Sequence, residues 1–166
     1  MKKFMLFCLF AIILSGCSAG QEYETVMDVQ PILTPADKGQ IVLELPQEAI
    51  LAVFENKSGE RIYLCDDFEI AVMTLEGGDL TKTIQEITGF QKEKLTVMET
   101  QIGAIKCYEC AWAAAGETER IGRLAILDDG YYHYAVSAMA DAAKAEEVRA
   151  CWNELFRSFR LVSTVQ

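Results

Sequence analysis

Apolar and polar positions recur along this chain in two periods, and together they predict one α+β unit. Ile41, Leu43 and Leu45 alternate with Val42 and Glu44, the pattern of a short half-buried strand, and Pro46 stops it. Residues 51–55 and 60–64 flank Asn56-Lys57-Ser58-Gly59, which predicts a hairpin. Residues 68–75 form a third apolar run, broken by Glu76-Gly77-Gly78-Asp79. Leu80, Ile84 and Ile87 then recur at helical spacing, with Asp79 as N-cap and Gly89 as stop. Residues 95–98 predict another strand. A three-strand meander follows at 102–114, 120–127 and 131–138, with turns at Gly116-Glu117-Thr118 and Asp128-Asp129-Gly130. The last element is the clearest. From Asp141 as expected N-cap, Ala145, Val148, Trp152, Leu155 and Phe159 form one apolar stripe, and such a stripe buries itself against a sheet.

The amino terminus follows a different logic. Lys2 and Lys3 precede an apolar run over residues 4–14, too short for a permanent membrane-spanning helix and suited to a signal peptide. Leu14-Ser15-Gly16-Cys17 resembles the bacterial lipobox, an aliphatic residue and two small ones before a cysteine. The resemblance implies cleavage before Cys17 and acylation of its thiol. The expected organisation is a lipoprotein signal at 1–16, a lipidated and flexible tether at 17–40 and one domain at 41–166. The tether is polar and acidic, carries Pro31 and Pro35, and as a coil spans roughly 25–30 Å. The expected location is a cell membrane, with the body anchored by lipid and facing the extracytoplasmic side.

Composition sharpens this picture. The full chain of 166 residues has 15 basic and 25 acidic residues and a formal charge of −10. Loss of Lys2 and Lys3 takes 15 basic residues to 13 against 25 acidic, a charge of −12. That argues against a nucleic-acid partner, which needs a basic footprint. It also repels the body from an anionic leaflet within a Debye length of about 8 Å.

The order of elements resembles a known fold. A strand ends in Leu45-Pro46; hairpin strands, one mid-chain helix and the meander follow. Gly130-Tyr131-Tyr132-His133-Tyr134 opens the last strand, and an amphipathic helix closes on Phe156-Arg157-Ser158-Phe159. This is similar to the PsbP/DcrB-like α/β/α sandwich, in which an antiparallel sheet, here of about six or seven strands, carries helices on its faces. The resemblance covers about residues 41–162 and implies an accessory or binding role. It brings no catalytic residue with it.

Four cysteines remain in the domain: Cys65, Cys107, Cys110 and Cys151. Cys107-Tyr108-Glu109-Cys110 has the spacing of a thiol-redox or zinc motif. Its surroundings read as strand, and residues i and i+3 of a strand lie about 10 Å apart on opposite faces. A disulfide needs Cα atoms within about 7 Å, so these two cannot bridge each other there. A structural disulfide would then pair Cys65 with Cys107 and Cys110 with Cys151, or Cys65 with Cys110 and Cys107 with Cys151. Four buried free thiols remain the alternative. His133 is the single histidine and lacks an accompanying nucleophile elbow. Tyr131, His133, Tyr108 and Trp112 are candidates for an aromatic binding surface; cross-strand packing is the competing reading. Asp66-Asp67-Phe68-Glu69 lacks the calcium-loop pattern, and Gly77-Gly78 lacks the lysine of a phosphate loop.

The expected function is therefore a non-enzymatic, lipid-anchored binding or accessory module, without cofactor or metal. Its partners are the membrane, through Cys17, and an envelope protein or small ligand. The alternative is an extracytoplasmic thiol-redox protein using Cys107 and Cys110.

Overall fold

The computed structural model describes residues 38–53 and 60–162. The expected signal, Cys17, most of the tether and the hairpin tip at 56–59 lie outside the described residues. Nine strands and two α-helices are described: β1 Gln40–Val42, β2 Ile50–Val53, β3 Arg61–Leu64, β4 Phe68–Glu76, α1 Leu80–Thr88, β5 Met98–Ile102, β6 Ile105–Ala114, β7 Arg120–Asp128, β8 Tyr132–Asp141, α2 Ala145–Ser158 and β9 Arg160–Val162. Seven strands form one antiparallel sheet in the order β2-β3-β4-β8-β7-β6-β5, and β1 pairs with β9 beside it. The α+β class expected from the pattern is the class observed.

Each face of the sheet carries one helix. Alternation along β4 sends Phe68, Ile70 and Val72 to one face, where Val148, Trp152, Leu155, Phe156 and Phe159 of α2 and its cap cover them. Burial of Trp152, Leu155 and Phe159 contributes roughly 1.5–3 kcal/mol each. Met73 faces the other way, into a second core with Ile84 of α1, Tyr108, Cys110, Trp112, Leu124, Ile126 and Ala135.

The helix α1 forms where its punctuation demands. Asp79 Oδ1 accepts from the Thr81 and Lys82 N–H groups at 2.9 and 3.4 Å, and Gly89 ends the helix at φ 77°. Replacing Asp79 with alanine should cost about 1 kcal/mol, read from a urea midpoint. Asp141 does not cap α2. It ends β8 in extended conformation, Ala142 N–H is tied to Glu119 C=O at 2.8 Å, and a 3₁₀ turn over Ala142–Lys144 intervenes.

Two further expectations shift. Residues 92–94 form a 3₁₀ turn, and the expected strand at 95–98 begins only at Met98, because Leu95 and Val97 pack against the second core instead. Ile102 belongs to β5; the hairpin reverses at Gly103, whose φ of 64° suits glycine, and Ile105 starts β6.

Lys38 to Gln40, placed with the tether by pattern, contact the domain. Gly39 N–H donates to the Tyr134 hydroxyl at 2.8 Å, which donates to Asp129 Oδ2 at 2.9 Å. The same carboxylate accepts from the Tyr131 and Tyr132 amides at 2.8 and 2.7 Å and shapes the β7–β8 turn. Burial, reinforced by Asp129 and opposed by the Gly39 N–H, pushes the Tyr134 phenol up to about 12. A phenol whose pKa is raised on folding stabilises the fold fully below its unfolded value near 10, and that contribution is lost as pH climbs towards 12. Tyr134→Phe should therefore cost about 1–2 kcal/mol at neutral pH. It should also flatten the stability decline above about pH 10, measured by urea melts across that range.

Candidate functional site

Tyr108, Trp112 and His133 form no binding surface. All three are buried in the core beneath α1, and of the expected group Tyr131 alone is exposed, at 40%. Alternation placed them on one face; α1 and the 90–97 segment cover that part of it. Trp112 lies across Gly122 on the neighbouring strand, its cross-strand partner in the ladder. Its indole fills the space a side chain at 122 would take.

His133 makes a buried strut. Its Nδ1 lies 2.8 Å from Thr83 Oγ1 on α1, and its Nε2 lies 3.9 Å from Asp128 Oδ2 across the β7–β8 ladder. The residue types are those of a hydrolytic triad. However, Thr83 is 5% and His133 1% exposed, so the arrangement ties α1 to the sheet without offering a nucleophile to a substrate.

The cysteine motif is divided by the sheet. Cys107 packs in the core under α2 and Cys110 in the core under α1. Burial pushes both thiols up, Cys107 with help from Glu109, the reverse of what a reactive thiolate needs. Both expected disulfide pairings also fail. Each requires Cys65 to reach β6, and β4, β8 and β7 stand between β3 and β6. Four strand spacings are about 19 Å, far beyond disulfide reach. All four thiols are unbridged in the structure. Among the described residues no cluster of His, Cys, Asp and Glu is placed to hold a metal ion.

The open site lies elsewhere on the α1 face. At nine residues, α1 is short and covers only part of its face. Beside it, β3, β4 and β8 leave a cleft of about 260 Å³. Ile62, Ala71, Met73, Leu75, Ile87 and Met139 make its apolar surface, and Ser137 adds a hydroxyl. Glu60, Glu69 and Glu86 supply its charge, and no basic residue lines it. Arg120 holds Glu69 at 3.1 Å, and Lys82 stands 3.7 Å from Glu86 on the exposed side of α1. Ladder register extends the apolar surface outward: Ile62 pairs with Ala71, Leu64 with Glu69, and Ile50 with Leu64, all on this face. Leu64 is 48% and Ile50 71% exposed, so an apolar strip runs from the cleft to the sheet edge. His133 lies four positions along β8 from Ser137 and does not line the cleft.

Sequence reasoning missed this site, whose walls come from four separate elements. The available signal was the alternation of Glu69, Ala71, Met73 and Leu75 along β4, with a helix too short to cover that whole row.

No family model matches the sequence, and no curated protein matches it. Solved structures do. The solution structure of cyanobacterial PsbP (CyanoP) from Synechocystis aligns at TM-score 0.55 and 10% identity, over 80% of this chain and 96% of that one. The fold is PsbP-like. LpqN of Mycobacterium tuberculosis, described as involved in cell envelope biogenesis, aligns at TM-score 0.52 and 12% identity, over 80% of this chain and 88% of its own. A Bacteroides thetaiotaomicron structure aligns at TM-score 0.49 and 14% identity over 75% of this chain, which spans 46% of that longer chain. The PsbP-like sandwich is thus shared at identities that carry the fold alone.

Proposed function

We propose that this chain is a membrane-anchored, extracytoplasmic accessory module that binds its partner through the α1-side cleft and performs no chemistry on it. The observation that carries the reading is the cleft: an apolar floor on a rigid sheet, edged by glutamates and continued by Leu64 and Ile50. Its size falls below the roughly 300–1,000 Å³ of sites for drug-sized ligands, which favours a side chain or short apolar segment over a whole cofactor. The glutamates favour positive charge on that segment. The partner class is therefore a basic, amphipathic peptide segment of an envelope protein.

The resemblance of Leu14-Ser15-Gly16-Cys17 to a lipobox supports the anchor, and the envelope role of the fold neighbour LpqN is consistent with that location. Among the described residues, no helix is long and apolar enough to cross a membrane. In a bacterial host, a clickable palmitate analogue should label the wild-type chain; Cys17→Ala should lose the label and leave the membrane fraction. Unchanged labelling would end the anchor reading.

The binding reading is tested by titrating the full chain, in neutral detergent, with a peptide of alternating leucine and lysine. A leucine–glutamate peptide is the control. Binding should weaken with salt, and by roughly tenfold in a Glu60→Gln/Glu86→Gln variant, about 1.4 kcal/mol. Equal binding of both peptides would contradict the charge argument; binding of neither would contradict the cleft as a binding site.

A further inference from the structure

Among the described residues, the two thiols outside β6, Cys65 and Cys151, pack against one core. The chain turns between β3 and β4 through Cys65-Asp66-Asp67-Phe68, and Cys65 N–H donates to Phe68 C=O at 2.9 Å to close the turn. Two contacts press this turn against α2. The Phe68 ring meets Trp152 edge-on, with centroids 6.2 Å apart. Lys144, at the start of the helix, reaches Asp67 Oδ1 at 3.3 Å. Within α2, positions 148, 151 and 155 share one side of the helix, and Cys151 stands next in the chain to Trp152, whose ring meets Phe68. Cys65 and Cys151 are both half-buried against the same core. Their electrostatic environment is also shared. Burial, then Glu48 and then Cys151 push the Cys65 thiol up to about 11; burial and then Glu48 push Cys151 up.

We propose that Cys65 and Cys151 form a disulfide that staples the β3–β4 turn to α2. The oxidant is a disulfide, either a small molecule such as oxidised glutathione or a dithiol protein in its oxidised form. One cysteine loses its proton, and its thiolate attacks the oxidant, displacing one sulfur as a thiolate and leaving a mixed disulfide. The second cysteine, deprotonated in turn, attacks that mixed disulfide. It closes the Cys65–Cys151 bond and releases the oxidant's other sulfur. Two electrons pass to the oxidant and two protons to solvent. Because both thiols are held protonated, closure at neutral pH is slow.

This pairing satisfies what the sequence-based pairings could not. It joins two elements already in contact and leaves Cys107 and Cys110 as core residues on opposite faces. It also encloses β4, α1, β5, β6, β7 and β8, so the bond restrains most of the domain in the unfolded chain.

The test uses the full chain carrying Cys8→Ser and Cys17→Ser, so that only the four domain thiols remain. After equilibration with oxidised glutathione, intact mass should fall by two hydrogens relative to the reduced sample. Peptide mapping should recover Cys65 joined to Cys151. The melting temperature should drop by roughly 10 °C on reduction, and that drop should vanish in Cys151→Ser. Cys65→Ser serves as the second variant should Cys151→Ser not fold, and the wild-type mass needs neither. Four alkylatable thiols after oxidation and denaturation would overturn the proposal, as would a bridge that maps to Cys107 or Cys110.

Discussion

Replacing Gly122 with alanine should destabilise the domain by about 1–3 kcal/mol, although the same change elsewhere in a strand usually helps. Gly122 has no left-handed backbone requirement. Alanine there should gain about 0.4–1 kcal/mol by restricting the unfolded chain. The gain is lost to one neighbour. An added Cβ would stand 2.2 Å from Trp112 Cζ2 and 2.4 Å from Cε2. The indole is rigid and buried, so it cannot swing aside without opening the core beneath α1. The control is a double-mutant cycle. In a Trp112→Ala background the Gly122→Ala penalty should disappear or change sign, and additive penalties would refute the contact as its cause.

Trp152→Ala should have the larger effect, about 3–5 kcal/mol, a substantial share of the 5–15 kcal/mol typical of a domain. Trp152 joins α2 to the sheet through Phe68 and lies in the middle of the helix stripe. Its Nε1–H is buried and finds no partner among the described residues. That orphan donor carries a desolvation cost, so Trp152→Phe should be far milder than the alanine change and under about 1.5 kcal/mol. Denaturant melts of both variants decide this. Equal losses would mean that the indole hydrogen bonds to something the geometry does not account for.

The elements legible in the sequence were those whose signals are local. Asp79 and Gly89 bracket α1, and Leu80, Ile84 and Ile87 set its buried side within one short window. The stripe from Val148 to Phe159 announced α2 for the same reason. Local signals failed at Ile102 and Ile105, two apolar residues of like kind on either side of a reversal that Gly103 alone betrays. They failed at β9, three residues whose pairing with β1 depends on a segment at the other end of the domain. The site was the least legible part. Ladder register puts Tyr108, Trp112 and His133 on one face, but the sequence pattern does not say which stretch of a face a helix covers. That depends on the length and sideways placement of α1. Its covered side became the core around His133, and its uncovered side became the cleft between Ile62, Ala71 and Met139.

That uncovered side is the centre of the functional account, and hydrogen–deuterium exchange of the full chain with and without the leucine–lysine peptide tests it most directly. The account predicts that peptide binding slows exchange in α1, β3 and the adjoining parts of β4 and β8. It also predicts that Ile62→Trp, which fills the cleft, abolishes that protection while leaving the melting temperature within a few degrees of wild type. Protection confined to the exposed edge strand β5 or to the outer side of α2, or protection undiminished in Ile62→Trp, would contradict it.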